Sequence, residues 1–140
     1  MNELITIEIF SCLMMTGVIW IVQLVHYPSF AYVAQDKFTD FEVFHQKRIS
    51  LVVLPLMLTE FISHFCLYLM KPYPIFSLES LSTFSLLGIW FVTFFMCVPC
   101  HSKLCQMYDK NLLRKLIYYN WLRTFFWSVR SFLFFFTQIN

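Results

Sequence analysis

The chain is short of charge. Asp, Glu, Lys and Arg make up only 13% of it, against 59% hydrophobic residues. That shortage excludes an ordinary soluble domain, where about a quarter of residues are charged. Dense Lys/Arg runs are missing too, and the net charge is +2, which excludes a nucleic-acid grip built on phosphates. A cleavable leader is not expected, because Glu3 and Glu8 stand where Lys or Arg would and no A-x-A site follows the long apolar stretch. The five cysteines (Cys12, Cys66, Cys97, Cys100, Cys105) form no secreted-type disulfide framework, and Cys12 and Cys66 read as small apolar residues within spans. What the chain has is apolar bulk, 18 Phe against 2 Gly, on a scale that a bilayer covers and water does not.

Four stretches reach the roughly 20 residues needed to cross a hydrocarbon core: about 5–25, 49–70, 80–98 and 116–136. Arg123 and Arg130 interrupt the fourth, which is kept because Phe125, Phe126 and Leu133 to Phe136 would otherwise face water. The sequence therefore predicts an all-α integral membrane protein. It is one domain over 1–140, an up-down bundle of about four transmembrane helices with short loops. Phe30, Ala34, Phe38, Phe41 and Phe44 recur at helical spacing opposite Lys37, Asp40 and Lys47. This predicts an interfacial amphipathic helix in the first loop, with Thr39 and Glu42 as a capping box. A second helix starting near Asp40 is the other reading. Pro55 is expected to kink that helix.

Lys37, Lys47 and Arg48 mark the first loop, and Lys103, Lys110, Arg114 and Lys115 the third. The second offers only Lys71. The positive-inside bias places loops one and three in the cytoplasm and both termini in the periplasm of a bacterial inner membrane.

Polar residues in hydrocarbon face the bundle interior, and here each span carries a stripe of them. The stripes are Thr16, Trp20, Gln23 and His26; Arg48, Pro55, Thr59 or Glu60, and Ser63; Trp90, Thr93, Cys97 and His101; and Asn120, Arg123, Trp127 and Arg130. Glu60 lies about 18 Å beyond Arg48 at helical rise, too deep to stay unpaired. It is expected to pair with Arg123 or Arg130, as a structural pair or with the other Arg left to receive an anionic or carbonyl group. Arg130 snorkelling outward is the alternative. His64, one turn after Glu60, is expected to hydrogen-bond to it.

His26, His45 and His101 fall at the ends of spans and converge on the cytoplasmic pole. They are candidate ligands for a metal or haem, or candidate proton carriers. Their spacing gives no i,i+4 chelating pair. Cys97-Val98-Pro99-Cys100-His101 fits the c-type haem attachment pattern, but on the cytoplasmic side, so redox or metal chemistry of the pair and chance occurrence stay open.

The strings Gly17 to Pro28, Phe44-His45 with Arg48, Pro55 to Leu58 with Glu60, Pro99 with His101, and Asn120 to Thr124 with Trp127 and Arg130 resemble a family of small four-helix bacterial inner-membrane proteins. That resemblance spans nearly the whole chain and implies a four-helix membrane fold without supplying an activity. In architecture alone the chain is also similar to anthrone-oxygenase-like proteins and to small membrane protoporphyrinogen oxidases.

These observations lead to a membrane-embedded redox or cofactor-binding protein acting on a lipophilic small molecule. Its candidate acid/base residues are Glu60 and His45. Its candidate ligand-binding residues are His26, His45, Arg48, His101, Arg123, Trp127 and Arg130. The alternative is a non-enzymatic carrier, assembly factor or subunit of a homo-oligomer or larger membrane complex, with the polar stripes as helix glue.

Overall fold

The computed structural model describes residues 1–139, and among these every regular element is helical. Four long segments alternate in direction. Helix α1 spans Asn2–Ile21 and continues through a π-helical stretch, Val22–His26, into a turn at Tyr27–Ser29. Helix α2 spans Phe38–Met70 and runs through Pro55. Helix α3 (Leu78–Val92) passes through a second π-helical stretch, Thr93–Cys97, into α4 (Val98–Leu104), and α5 spans Lys110–Ile139.

Local chemistry sets these boundaries. Ser77 caps α3 by accepting from the Ser80 amide, and Asp109 Oδ1 accepts from the Asn111 and Leu112 amides at the start of α5. The two π stretches share one cause. Pro28 and Pro99 each lie two residues beyond a π segment. A proline lacks the N–H for an i→i−4 bond and crowds the carbonyl one turn back, so the preceding turn widens.

Three segments, Asn2–Tyr32, Gln35–Met70 and Leu78–Leu104, are long and apolar enough to cross a membrane. Helix α5 has the length, 30 residues, but carries Lys110, Arg114, Lys115, Arg123 and Arg130. The backbones pack in the order α2, α1, α5, α3. Between α2 and α3 the contact is made mainly by side chains, such as Phe61 against Trp90 with ring centroids 5.1 Å apart. The bundle therefore has a seam there.

Polarity is inverted relative to a soluble protein. Glu8, Glu42, Glu60, Asn120, Arg123 and Arg130 are buried, while Phe10, Leu51, Phe65, Phe91, Phe95, Phe125 and Phe132 are exposed. This arrangement suits hydrocarbon surroundings. Seven of the ten Lys and Arg residues gather at one end, here the basic pole. The start of α1 and the end of α5 define the terminal pole.

The separate interfacial helix is corrected. The aromatic stripe forms the first turns of α2 and the 3₁₀ turn before it, with Phe30 1% and Phe38 0% exposed in the core. Burying those rings between helix ends removes more apolar surface from water than laying them at the headgroups. The capping box is corrected as well: Lys37 stands at the N-cap position of α2, with no side-chain capping bond, and Glu42 turns inward.

The two glycines sit in different surroundings. A Cβ on Gly17 would meet nothing within 4 Å, whereas one on Gly88 would lie 3.0 Å from the Phe126 ring. Gly17→Ala is expected to hold or raise the thermal midpoint in detergent, since Ala favours helix by about 1 kcal/mol. Gly88→Ala should lower the midpoint relative to it, by displacing Phe126 from the α3–α5 contact. The two midpoints, measured side by side, check this.

Candidate functional site

The buried polar groups form two clusters joined by a middle layer. Near the terminal pole, Arg130 is fully buried and touches three other helices. Its Nε donates to Glu60 Oε1 at 2.8 Å and its Nη2 to Glu8 Oε1 at 2.7 Å. Its Nη1 donates to the Ser82 carbonyl and hydroxyl at 2.9 and 3.0 Å. Trp127 Nε1 donates to the other Glu60 oxygen at 2.9 Å. Of the two expected pairings for Glu60, the structure forms the one with Arg130. Arg123 plays no part in it, and Arg130 does not snorkel outward. His64 is also placed differently from expectation. Its Nδ1 lies 2.6 Å from Glu8, and its Nε2 faces Thr83 and Tyr73 rather than Glu60.

In the middle layer Asn120 donates to Gln23 at 2.7 Å and accepts from Arg123 Nη1 at 3.2 Å. The Arg123 guanidinium lies 5.1 Å from the Trp127 ring centre. Its Nε is buried with no hydrogen-bond partner, and no carboxylate among the described residues lies within ion-pair distance of it. The remaining stripe members are scattered. Thr16 bonds to Ser131 at 2.7 Å, Trp20 donates to Ser128 at the surface, and Trp90 Nε1 is buried without a partner.

At the basic pole the three histidines do converge. His26 Nε2 and His45 Nδ1 lie 2.7 Å apart, and the His45 and His101 rings are 5.6 Å apart, centroid to centroid. Two residues outside the predicted set complete the group: Tyr27 Oη, 3.2 Å from His101 Nε2, and Glu42, which takes a short hydrogen bond from His101 Nδ1. The π stretches put them there. Each adds a residue to its turn, which rotates His26 and Tyr27 at the end of α1, and His101 in α4, toward α2.

A cavity of about 190 Å³ opens between α2 and the α3–α4 segment. Tyr27, His45, His101, Thr93, Cys97 and Arg123 line it. His45 Nε2 makes no hydrogen bond among the described residues. The volume is below the roughly 300–1,000 Å³ of a drug-sized pocket, so it suits one ring or head group with a chain leaving sideways. Arg48 lies elsewhere. It is exposed, over the Phe44 ring, at the edge of an apolar groove of about 360 Å³ behind His26.

The metal and haem expectations do not fit this geometry. Among the described residues no three His, Cys, Asp or Glu side chains are arranged to hold an ion. Two imidazole nitrogens on one tetrahedral ion stand about 3.3 Å apart, whereas His26 and His45 are at hydrogen-bond distance. Both nitrogens of His101 are engaged, and Cys97 and Cys100 are buried in the core, so C-x-x-C-H presents neither thioether sites nor an axial ligand. No protein-family model, curated protein or solved structure matches the chain.

Proposed function

We propose that this is a four-span protein of a bacterial inner membrane, with its basic pole in the cytoplasm and its termini in the periplasm. In this reading the crevice between α2 and α3–α4 binds a lipophilic molecule ending in a carbonyl or ionised oxygen, of the quinone kind, as part of a membrane redox reaction. One observation carries it: Arg123, 6% exposed, has a buried Nε without a partner and lines the crevice. A guanidinium without a counter-charge in a low-dielectric interior is a receptor for an oxygen acceptor. The fourth span is supported by α5 turning Arg123 and Arg130 inward while Trp121, Phe125 and Phe132 face outward.

The Arg130 cluster favours a second reading, in which the chain is a carrier, assembly factor or subunit held together by polar glue. Titration of the detergent-purified protein with a short-tailed benzoquinone separates the two. The first reading expects saturable binding that Arg123→Gln weakens at least tenfold, the loss of a charged hydrogen bond of about 1.5–3 kcal/mol. Equal binding by both proteins, or none by either, would leave the second. A reporter fused after residue 140 checks orientation, since activity of a cytoplasm-only reporter there would reverse it.

A further inference from the structure

We infer, resting on the crevice reading above, that Tyr27, His101 and Glu42 form a proton relay for the bound ligand. The relay takes the hydroxyl proton of a weakly acidic lipophilic molecule, a phenol, quinol or enol, and leaves its oxyanion on Arg123.

The three groups come from separate segments and meet in one line. Tyr27 is 2% and Glu42 0% exposed, and Tyr27 and His101 both line the cavity that Arg123 lines. Glu42 can only accept at His101, so Nδ1 carries the hydrogen there and the Nε2 lone pair is left for the Tyr27 hydroxyl. The second oxygen of Glu42 is buried with no hydrogen-bond partner among the described residues, so its carboxylate hydrogen-bonds to His101 alone there. A buried carboxylate held this way stabilises an imidazolium once one forms. The groups facing His101 are Tyr27 from the end of α1, Glu42 and His45 from α2, and Arg123 from α5 across the cavity. Behind His45 stands His26.

The step balances without any electron carrier. The ligand O–H bond breaks and a new O–H bond forms on Tyr27, while the original Tyr27 proton moves to His101 Nε2. The products are a ligand oxyanion beside Arg123 and an imidazolium beside Glu42. Reversal returns the proton to the ligand. Tyr27 touches the ligand, and Glu42 is a positioning residue acting through His101.

The test uses a lipophilic alkyl-nitrophenol, whose phenolate absorbs in the visible, and the full chain in mild detergent. At a pH where the probe in empty micelles is the neutral phenol, the wild type should bind it and show the phenolate band. A pH indicator in weakly buffered medium should register almost no proton release, because His101 keeps the proton. Glu42→Gln, which does not line the cavity, should bind within about threefold of wild type yet lose the band at least tenfold, about one pKa unit of driving force, and Tyr27→Phe should lose the band as well. Release of one proton per phenolate, or an undiminished band in both variants, overturns the relay and leaves the crevice standing. Failure of the wild type to bind the probe saturably overturns both. The wild-type proton count needs no variant, so poor folding of either substitution does not shield the inference.

Discussion

Arg130→Gln is expected to be the most damaging single substitution in the protein. It removes one cation that faces two buried carboxylates, Glu8 at 2.7 Å and Glu60 at 2.8 Å, and it frees the Ser82 carbonyl. Breaking a buried pair from one side costs about 3–5 kcal/mol, because the remaining charge is left in low dielectric. Here two charges remain. The thermal midpoint in mild detergent should fall steeply, with much of the protein aggregating on extraction. Glu60→Gln should be the next most severe. Glu60 accepts from Arg130 on one oxygen and from Trp127 on the other, and an amide can keep only one of these bonds. The double variant Glu60→Gln with Arg130→Gln should therefore lose less than the sum of the singles, whereas Glu60→Gln with Arg123→Gln should be additive. Additivity in the first pair, or coupling in the second, would contradict the network.

Four long helical segments, three of them apolar enough to cross a membrane, and the Glu60–Arg130 pair were legible because each follows from apolar run length and helical period. So was the gathering of His26, His45 and His101, which needs only antiparallel spans. The rest was hidden for specific reasons. Glu8 lies close to the start of the chain and reads as a flank, yet the first helix begins at Asn2 and sinks it 5% exposed beside Arg130. Glu42 stands three residues after Thr39, a local pattern that suggests a cap. Its actual partner, His101, is 59 residues away, and no local pattern encodes that contact. Tyr27 lies beyond the first π stretch. One added residue turns everything after it by about 100°, so a face projected from an ideal helix misplaces Tyr27 and, past the second stretch, His101. The two prolines that cause these stretches were visible. What they do to the register is visible only once the helices are in place.

Arg123 should behave in the opposite sense to Arg130, and the contrast separates a site from glue. Both are buried arginines on α5, seven residues apart. Arg130 is engaged by two carboxylates and Ser82, whereas Arg123 pairs with no carboxylate among the described residues and has the Asn120 side-chain oxygen at 3.2 Å, a long contact to Met57 sulfur, the Cys97 thiol and the face of Trp127. In the four-span reading its charge costs about 2.5–3.5 kcal/mol near mid-membrane, and these weak partners offset little of it. Arg123→Met, close in length and apolar, should thus raise the thermal midpoint of the ligand-free protein in detergent. It should also abolish binding of the short-tailed benzoquinone. With the wild type, adding the quinone should raise the midpoint by mass action; with the variant it should not. Gains in stability with loss of binding are the pattern of a residue retained for its ligand at the expense of the fold. If Arg123→Met instead lowers the midpoint as Arg130→Gln does, Arg123 is part of the scaffold. The crevice would then have lost the residue on which its reading rests.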